Sequence, residues 1–464
     1  MTIETFRSAA AIDLIAISAL KRSMNGELLT PDTAGYATAR QLANLRYDRR
    51  PTLIARCRAR RDVAAAVTFA REHGLEIAVR SGGHSIPGHS AGDDGMMIDL
   101  SQMKTIRIDP DRRLARVQPG VTNGELVLAT QEYGLSTTTG TCATVGMGGS
   151  TLGGGIGWLM GRFGATVDNV LAFEIVTAEG QLITASADEH PDLFWALRGG
   201  GGNFGVVTEI TYRLHQLGPV LGGVAIFHLA TAPLVLRLYR ELTNTAPDEL
   251  MAHTVMADVP DFGPAMIVQA VYSGTDRAEG QRLLAPLRRF GPPAIDLIDT
   301  RSYADLYMML TPPIPPGAMY YDTAYTLKQP SDAALDDLLA TAQERPSPLT
   351  FVNVHQFHGV AARVAPDTTA LALREPHFAI VNIGMWLEGT GQAETTWTAN
   401  AKARMARHAS SGLYVNFLGE EGEDAVRASY RSNYDRLAVI KAAYDPDNIF
   451  HRNQNIKPRI TAFM

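Results

Sequence analysis

Nine of the twenty residues from Gly146 to Ala165 ("GMGGSTLGGGIGWLMGRFGA") are glycine, against a background of roughly 7%. An earlier stretch, Arg80 to Gly92 ("RSGGHSIPGHSAG"), places four glycines and two histidines in thirteen residues, too rich in both for an ordinary turn. Consecutive glycines let backbone N–H groups converge on an anion with no side chain in the way, and two such regions imply one extended, phosphate-bearing ligand. Whatever the chain folds into must therefore present both stretches as loops held by ordered neighbours.

The neighbours are readable. "PTLIARC" and "LEIAVR" read as strands around the helical "RRDVAAAVTFAREHG", whose last residue is a terminating glycine, and this unit delivers the chain into the first loop. Residues 1–49 read as a helical lead-in, with "AAIDLIAISALKRSM" at helical spacing. After the first loop come three short strands, "GMMIDLS", "TIRIDP" and "LARVQPG", then the helix "TNGELVLATQEYG". Past the second loop, "VLAFEIVTAEGQLITAS" predicts a hairpin at Glu179-Gly180. "DEHPDLFWALRGGGGNFGVVTEITYRL" predicts helix, glycine loop and strand, with Pro191 in the first helical turn.

Glycine density falls near Leu217-Gly218-Pro219, which sets a domain boundary there. From 218 to 410, strands ("GGVAIFHLA", "LMAHTVMADV", "AMIVQAVYSG", "LTFVNVHQFHG", "HFAIVNIGMWLEG") alternate with helices, as in a sheet covered on one face. "PPIPPGAM", Pro312 to Met319, is the most extended loop. From 411 onward, "LYVNF" predicts a strand and "EDAVRASYRSNYDRLAVIKAAYDPDNIF" one long helix ending near Asp445-Pro446.

Composition narrows the function. With 45% apolar and 19% charged residues in 464, the chain is of globular type and long enough for two cores. A net charge of −6 with scattered arginines argues against nucleic acid. No apolar run is long enough to span a membrane, and Glu4 and Asp13 interrupt what would be a signal peptide, so a cytoplasmic protein is expected. Two cysteines, Cys57 and Cys142, cannot make a disulfide framework.

Three motifs fail on context. Gly200, Gly202 and Gly205 match G-x-G-x-x-G, but a helix precedes and a strand follows, the reverse of a dinucleotide site. Gly88, Ser90 and Gly92 match G-x-S-x-G; a nucleophile elbow needs strand, turn and helix, whereas the sequence after Ser90 looks extended, which leaves a serine hydrolase as an alternative from another class. His355 with His358, and His84 with His89, lack the further ligands a metal would need.

Taken in order, "RSGGHS", "TGTCATVGMGGSTLGGGIG", "DLFWALRGGGGNFGVVTE" and "YDPDNIFHRNQNIKP" resemble the berberine bridge enzyme-like FAD-linked oxidases of the vanillyl-alcohol oxidase superfamily. The similarity runs from about Arg50 to Pro458. It implies an α+β fold of two domains. One is a PCMH-type FAD-binding domain (50–217, completed by a returning segment, 411–464); the other is a substrate domain (218–410) of antiparallel sheet covered by helices.

The resemblance also implies roles. His84 maps to the histidine joined to the flavin 8α-methyl and Cys142 to the cysteine joined to flavin C6 in doubly linked members, giving an FAD held by two bonds. FAD-binding residues are expected in Arg80, Ser81, Gly82, Gly83 and Ser85, in Gly140, Val145, Gly148, Gly149, Gly153 and Gly154, and in Val207, Asn453 and Asn455. Val145 stands where valine is associated in this family with oxygen access, so O2 is the expected electron acceptor and a small molecule the expected substrate. Tyr414 is the expected base, with its pKa lowered from about 10 to serve near neutral pH. The family's aromatic-Lys-Ser segment is replaced by "MYYDTAY", which reverses the local charge. Tyr320, Tyr321, Asp322, Gln356, Trp386 and Asn416 are candidate substrate-pocket residues. The expected reaction is oxidation of an alcohol, sugar or natural-product intermediate with release of H2O2. An amine oxidase of the hydroxynicotine type or a dehydrogenase is the nearest alternative, and a non-catalytic flavin-binding protein a remote one.

Overall fold

The computed structural model describes residues 13–289, 291–311 and 314–459. The leader reading at Glu4, the start of the predicted first helix, the two prolines that open the 312–319 loop and the last five residues lie outside them. Strands are numbered in chain order. β1 (Glu27–Leu29), β2 (Leu53–Arg56), β3 (Ile77–Arg80) and β4 (Met96–Asp99) form a sheet of order β1-β2-β4-β3, parallel except for β1. The helix Arg60–Glu72 crosses between β2 and β3 and buries Val63, Ala66, Val67 and Ala70 against it.

The lead-in is not purely helical. Besides the helix Leu14–Ser23 it supplies β1, fixed by Asp62, whose carboxylate accepts the N–H groups of Asn25 (2.8 Å) and Gly26 (3.1 Å). Three residues are too few to show a period of two, so the strand left no pattern in the sequence.

The second sheet runs β5-β6-β10-β8-β9 and is wholly antiparallel: β5 (Ile106–Asp109), β6 (Leu114–Val117), β8 (Val170–Val176), β9 (Leu182–Ser186) and β10 (Val206–Arg213). Gly180, at φ 78°, turns the β8–β9 hairpin, since a side chain there would meet the left-handed penalty. Among the described residues β7 (Leu135–Ser136) pairs only with β11 (His215–Gln216).

The third sheet is antiparallel and larger: β12 (Val220–His228), β13 (Leu250–Val259), β14 (Gly263–Tyr272), β15 (Ile295–Asp296), β16 (Asp299–Arg301), β17 (Met319–Leu327), β18 (Phe351–Phe357) and β19 (His377–Trp386). Its order is β15-β12-β14-β13-β18-β19-β17, with β16 also on β12. Helices Ala232–Asn244, Arg277–Arg289, Asp332–Gln343 and Gln392–Met405 cover one face through Leu236, Leu284, Leu335 and Trp397. The other face looks toward the glycine loops.

Two readings of the C-terminal segment change. "LYVNF" is a single 3-10 turn, Val415–Phe417, entered from Tyr414, and not a strand. The single long helix is two, Glu423–Tyr430 and Asn433–Tyr444, broken at Arg431, which takes φ 50° while its guanidinium grips Glu375 through two hydrogen bonds of 2.6 and 2.7 Å. With ψ −132° this positive φ lies outside the left-handed helical well, a conformation that costs a non-glycine residue about 1–3 kcal/mol, and the paired contact opposes that cost.

Candidate active site

The two glycine loops meet. A Cβ on Gly82 would collide with the backbone N of Gly146, and one on Gly146 with that of Gly82, so only glycine at both positions allows the approach. Ser81 Oγ donates to Pro119 O (2.5 Å), Met147 N to Val121 O (2.7 Å) and Gly148 N to Pro119 O (3.1 Å), which binds both loops to the same turn after β6. The helix Met147–Leu152 starts here, so the second glycine stretch is in part helical.

Behind the junction lies a cavity of about 430 Å³. Ser81, Gly82, Gly83, His84 and Ser85 line it from the first loop, and Gly140, Cys142, Val145, Gly148 and Gly149 from the second region. Gly201, Gly202 and Val207 close one side, Asn453 enters from the C-terminal segment, and the uncovered face of the third sheet supplies the far wall.

At the mouth of these loops Thr144 Oγ1 lies 3.1 Å from His84 Nε2 and 3.3 Å from Cys142 Sγ, so one hydroxyl ties the two side chains together. Burial, reinforced by the Arg80 charge, lowers the His84 pKa to about 4, so the ring is neutral and keeps a lone pair for bond formation. Cys57 is the contrast: it is fully buried in the first sheet, with its thiol pushed well up by desolvation, an inert packing residue.

Tyr414 Oη accepts hydrogen bonds from Gly155 N–H (2.8 Å) and Asn416 Nδ2–H (2.9 Å). With both acceptor positions used, its own hydroxyl hydrogen is left for the cavity. Burial nevertheless raises its pKa to about 12, the two donors only moderating the rise, so the free site holds a neutral phenol and not the acidified tyrosine expected. Gly153 and Gly154 do not line the cavity; they lie beneath Asn416 and Tyr414, where any Cβ would press on those side chains.

Strand parity sorts the substrate-side candidates. On β17, Tyr325 and Leu327 join the helix-covered core, which sends Tyr321 to that face and Tyr320 and Asp322 to the cavity. On β18, Val352 and Val354 pack under the helices; Gln356 goes with them and bonds Thr243 O (3.0 Å), while Phe351, Asn353 and His355 line the cavity. On β19, Phe378 and Ile380 do the same for Trp386, which packs on Gly391. Tyr321, Gln356 and Trp386 are thus removed from the pocket, and Asn353 and His355 are gained.

Arg80 is also displaced. Its guanidinium turns from the cavity to Ala39 O and toward Asp99 (4.0 Å). The cation on the cavity wall is Arg452, which donates to Glu76 (2.9 Å) and Ala91 O (2.7 Å) at the foot of the first loop. Asn455 lies outside the lining, with its Oδ1 buried and unpaired. Ser90 occupies a run of turns with neither strand before it nor helix after it, so no elbow forms. Among the described residues no three His, Cys, Asp or Glu side chains converge on a metal position, and no helix is long and apolar enough to cross a membrane.

A bulky ligand with many acceptors fits what is left over. A Cβ on Gly149 or Gly202 would meet only open space, and the buried Nε of Arg452 and the Oδ1 atoms of Asn123 and Asn453 have no partner in the protein. Open backbone glycine and unspent polar atoms side by side on the same wall suit a ligand with phosphates and a polar ring system such as FAD.

The comparisons agree. Residues 51–186 match the FAD binding domain family and residues 413–457 the berberine and berberine-like family. (R)-6-hydroxynicotine oxidase of Paenarthrobacter nicotinovorans is 33% identical over 462 residues, covering 94% of this chain and 97% of that protein. The crystal structure of 6-hydroxy-D-nicotine oxidase from Arthrobacter nicotinovorans superposes with a TM-score of 0.87 at 30% identity, over 94% of this chain and 99% of that one. Glucooligosaccharide oxidase from Acremonium strictum, described with a 6-S-cysteinyl, 8α-N1-histidyl FAD, shares the fold with a TM-score of 0.85 at 23% identity, covering 96% of this chain and 100% of its own.

Proposed function

The chain belongs to the berberine bridge enzyme-like FAD-linked oxidoreductases, and from that premise we propose that it is an oxidase of a small molecule whose reacting C–H neighbours an O–H or N–H group. FAD, when bound, supplies two-electron acceptance from that C–H bond and reoxidation by O2, with H2O2 as product. The observation that carries the reading is the Thr144 hydroxyl between His84 Nε2 and Cys142 Sγ. It occupies Nε2 and so leaves Nδ1 of a neutral imidazole for the 8α-methyl attachment, with Cys142 Sγ alongside for C6. The 6-S-cysteinyl, 8α-N1-histidyl description of glucooligosaccharide oxidase supports the same pairing.

The remaining residues orient and deprotonate. Gly82, Gly83 and Gly149 line the cavity and would hold the phosphates through backbone N–H groups, and Val145 would keep a small side chain on the wall that O2 reaches. To act as base Tyr414 would first release its own Oη proton to solvent through the cavity; the phenolate, held by Gly155 N–H and Asn416 Nδ2–H, would then take the substrate proton at Oη. Because its pKa stands near 12, this role requires the approach of a positive or donor group from substrate or cofactor.

Purified protein is expected to be yellow and to stay yellow in SDS or acid, with flavin on the peptides of both His84 and Cys142 in mass spectra. Flavin on neither peptide would refute the covalent reading, and flavin at His84 alone would remove the second bond. Tyr414→Phe is expected to slow anaerobic flavin reduction by about 10²- to 10⁴-fold with bound flavin unchanged. An unaffected rate would take Tyr414 out of the mechanism.

A further inference from the structure

Asp322 is a carboxylate in an apolar row. In the register of the third sheet it stands opposite Ile383 of β19, which stands opposite Phe351 of β18, and the neighbouring pair is Tyr320 with Met385. All five side chains line the cavity. None of these neighbours carries a cation, and Asp322 Oδ1 is buried with no hydrogen bond. Arg46 is the nearest source of positive field, but it forms no ion pair with Asp322 among the described residues. Its guanidinium lies over the Tyr321 ring at 4.6 Å and beside Tyr47 at 5.6 Å.

Burying a carboxylate among apolar groups is costly unless a partner arrives. Burial raises the Asp322 pKa to about 7, with Arg46 offsetting only part of the rise, so the group stands ready to ionise when a cation enters. Among the described residues, the Asp, Glu, Lys and Arg side chains on the cavity wall are Asp322 and Arg452, and Arg452 is already bonded to Glu76 and Ala91. The substrate-facing wall otherwise shows unpaired Asn353 Oδ1 and His355 Nδ1, and the His355 ring is neutral because burial lowers its pKa to about 4. These atoms and the Tyr414 hydroxyl can serve neutral donors or acceptors, but none of them answers the charge of the carboxylate. A compact apolar body carrying one ammonium would match both the row and its single charge.

We propose that Asp322 selects a substrate bearing a basic amine, which it binds as the ammonium through a charge-assisted hydrogen bond while Phe351, Ile383, Met385 and Tyr320 enclose its apolar part. The inference rests on the flavin-oxidase reading and narrows its substrate class. No bond is made or broken in this step; Asp322 recognises and does not react.

The test compares an aryl-substituted cyclic alkylamine with its neutral oxygen isostere, 2-phenylpyrrolidine against 2-phenyltetrahydrofuran, by equilibrium dialysis at pH 7.5 or thereabouts. Dithionite-reduced holoprotein is used so that neither compound turns over. The wild type is expected to bind the amine about 10- to 100-fold tighter, the range for a hydrogen bond to a charged group. Asp322→Asn is expected to bind the two within about threefold of each other, and Asp322→Glu, which keeps the charge, to retain a preference. A wild type that shows no preference, including one that binds neither compound, overturns the proposal, as does an Asp322→Asn protein that keeps the preference with an unchanged melting temperature. Flavin absorbance of the same preparations, recorded before dithionite is added, separates the two readings: a colourless oxidised preparation refutes the flavin reading, whereas a yellow protein indifferent to amine charge refutes only the role of Asp322.

Discussion

Replacing Lys441 by methionine should loosen three segments at once. Lys441 and Asp445 are fully buried, one helical turn apart and directly paired. Lys441 Nζ also donates to Asn203 O (2.7 Å) and Phe450 O (3.0 Å), and Asp445 accepts from the N–H groups of Ile449 and Phe450 (2.9 Å each). The pair thus fastens the helix Asn433–Tyr444, the segment that carries Arg452 and Asn453 to the cavity, and the glycine loop that carries Gly201 and Gly202. Burial alone pulls the lysine pKa down, and Asp445 works against it. Lys441→Met keeps the apolar stem, removes all three donated bonds and leaves a buried carboxylate without its cation. Such a loss costs about 3–5 kcal/mol; the two N–H donors left on Asp445 place this one near the lower end. With roughly 2.1 cal/mol/K of unfolding entropy per residue, 464 residues give about 1 kcal/mol per degree, so the cooperative melt should fall by about 3 °C. Adding Asp445→Asn removes the stranded charge and should restore part of the loss. Calorimetry at pH 7, with flavin content after gel filtration, reads both effects. A single variant that melts within 1 °C or so of wild type and keeps its full flavin would refute the argument that this pair holds the cavity wall.

Two further outcomes are expected. Thr144→Val removes the hydroxyl shared by His84 Nε2 and Cys142 Sγ, so the fraction of protein carrying both flavin bonds should drop several-fold in peptide mass spectra while total flavin binding persists; unchanged double attachment would make the hydroxyl incidental. Asp322 has a folded pKa of about 7 against 3.8 when unfolded, so between those values the unfolded chain releases its proton first and stability declines as pH rises, with the whole penalty present above about pH 7. At 1.36 kcal/mol per unit the ceiling is about 4 kcal/mol, reduced by water in the cavity. Asp322→Asn should therefore melt higher than wild type at pH 8 and match it at pH 4. Equal melting temperatures at both would show that the carboxylate is not desolvated.

Why some of this could be read in advance, and some could not, comes down to which signals are local. The paired glycine stretches announce themselves because close backbone approach admits no other residue, and the Gly82–Gly146 contact is that requirement made physical. The hairpin at Gly180 and the helix begun by Pro191 follow from turn and cap chemistry within a few residues. Tyr321, Gln356 and Trp386 lie outside the pocket that their sequence suggests for the opposite reason. β17, β18 and β19 are buried on both faces, one by helices and one by the cavity, so no polar alternation marks which face is which. The packing of Tyr325, Val354 and Ile380 under the helices, together with the pairing of Asp322 with Ile383 and of Ile383 with Phe351, resolves it.

Long-range partners were equally silent. Arg452 reaches the cavity wall because Glu76, 376 residues earlier, holds it there, and Lys441 reads as an ordinary exposed i,i+4 partner of Asp445 until the tail folds over both. The turn at Tyr414 is the most instructive difference. A strand would also have put Tyr414 and Asn416 on one side, but it would not have brought the tyrosine Oη against Gly155 N–H. The second donor comes from the turn, and the small Gly154 beneath the ring lets the turn approach. The charge reversal in "MYYDTAY" was visible from the start, yet its meaning depends on what surrounds it: beside a lysine Asp322 would be half of a structural pair, whereas in a row of Ile383, Phe351 and Met385 it is a charge that the protein itself leaves for a ligand to answer.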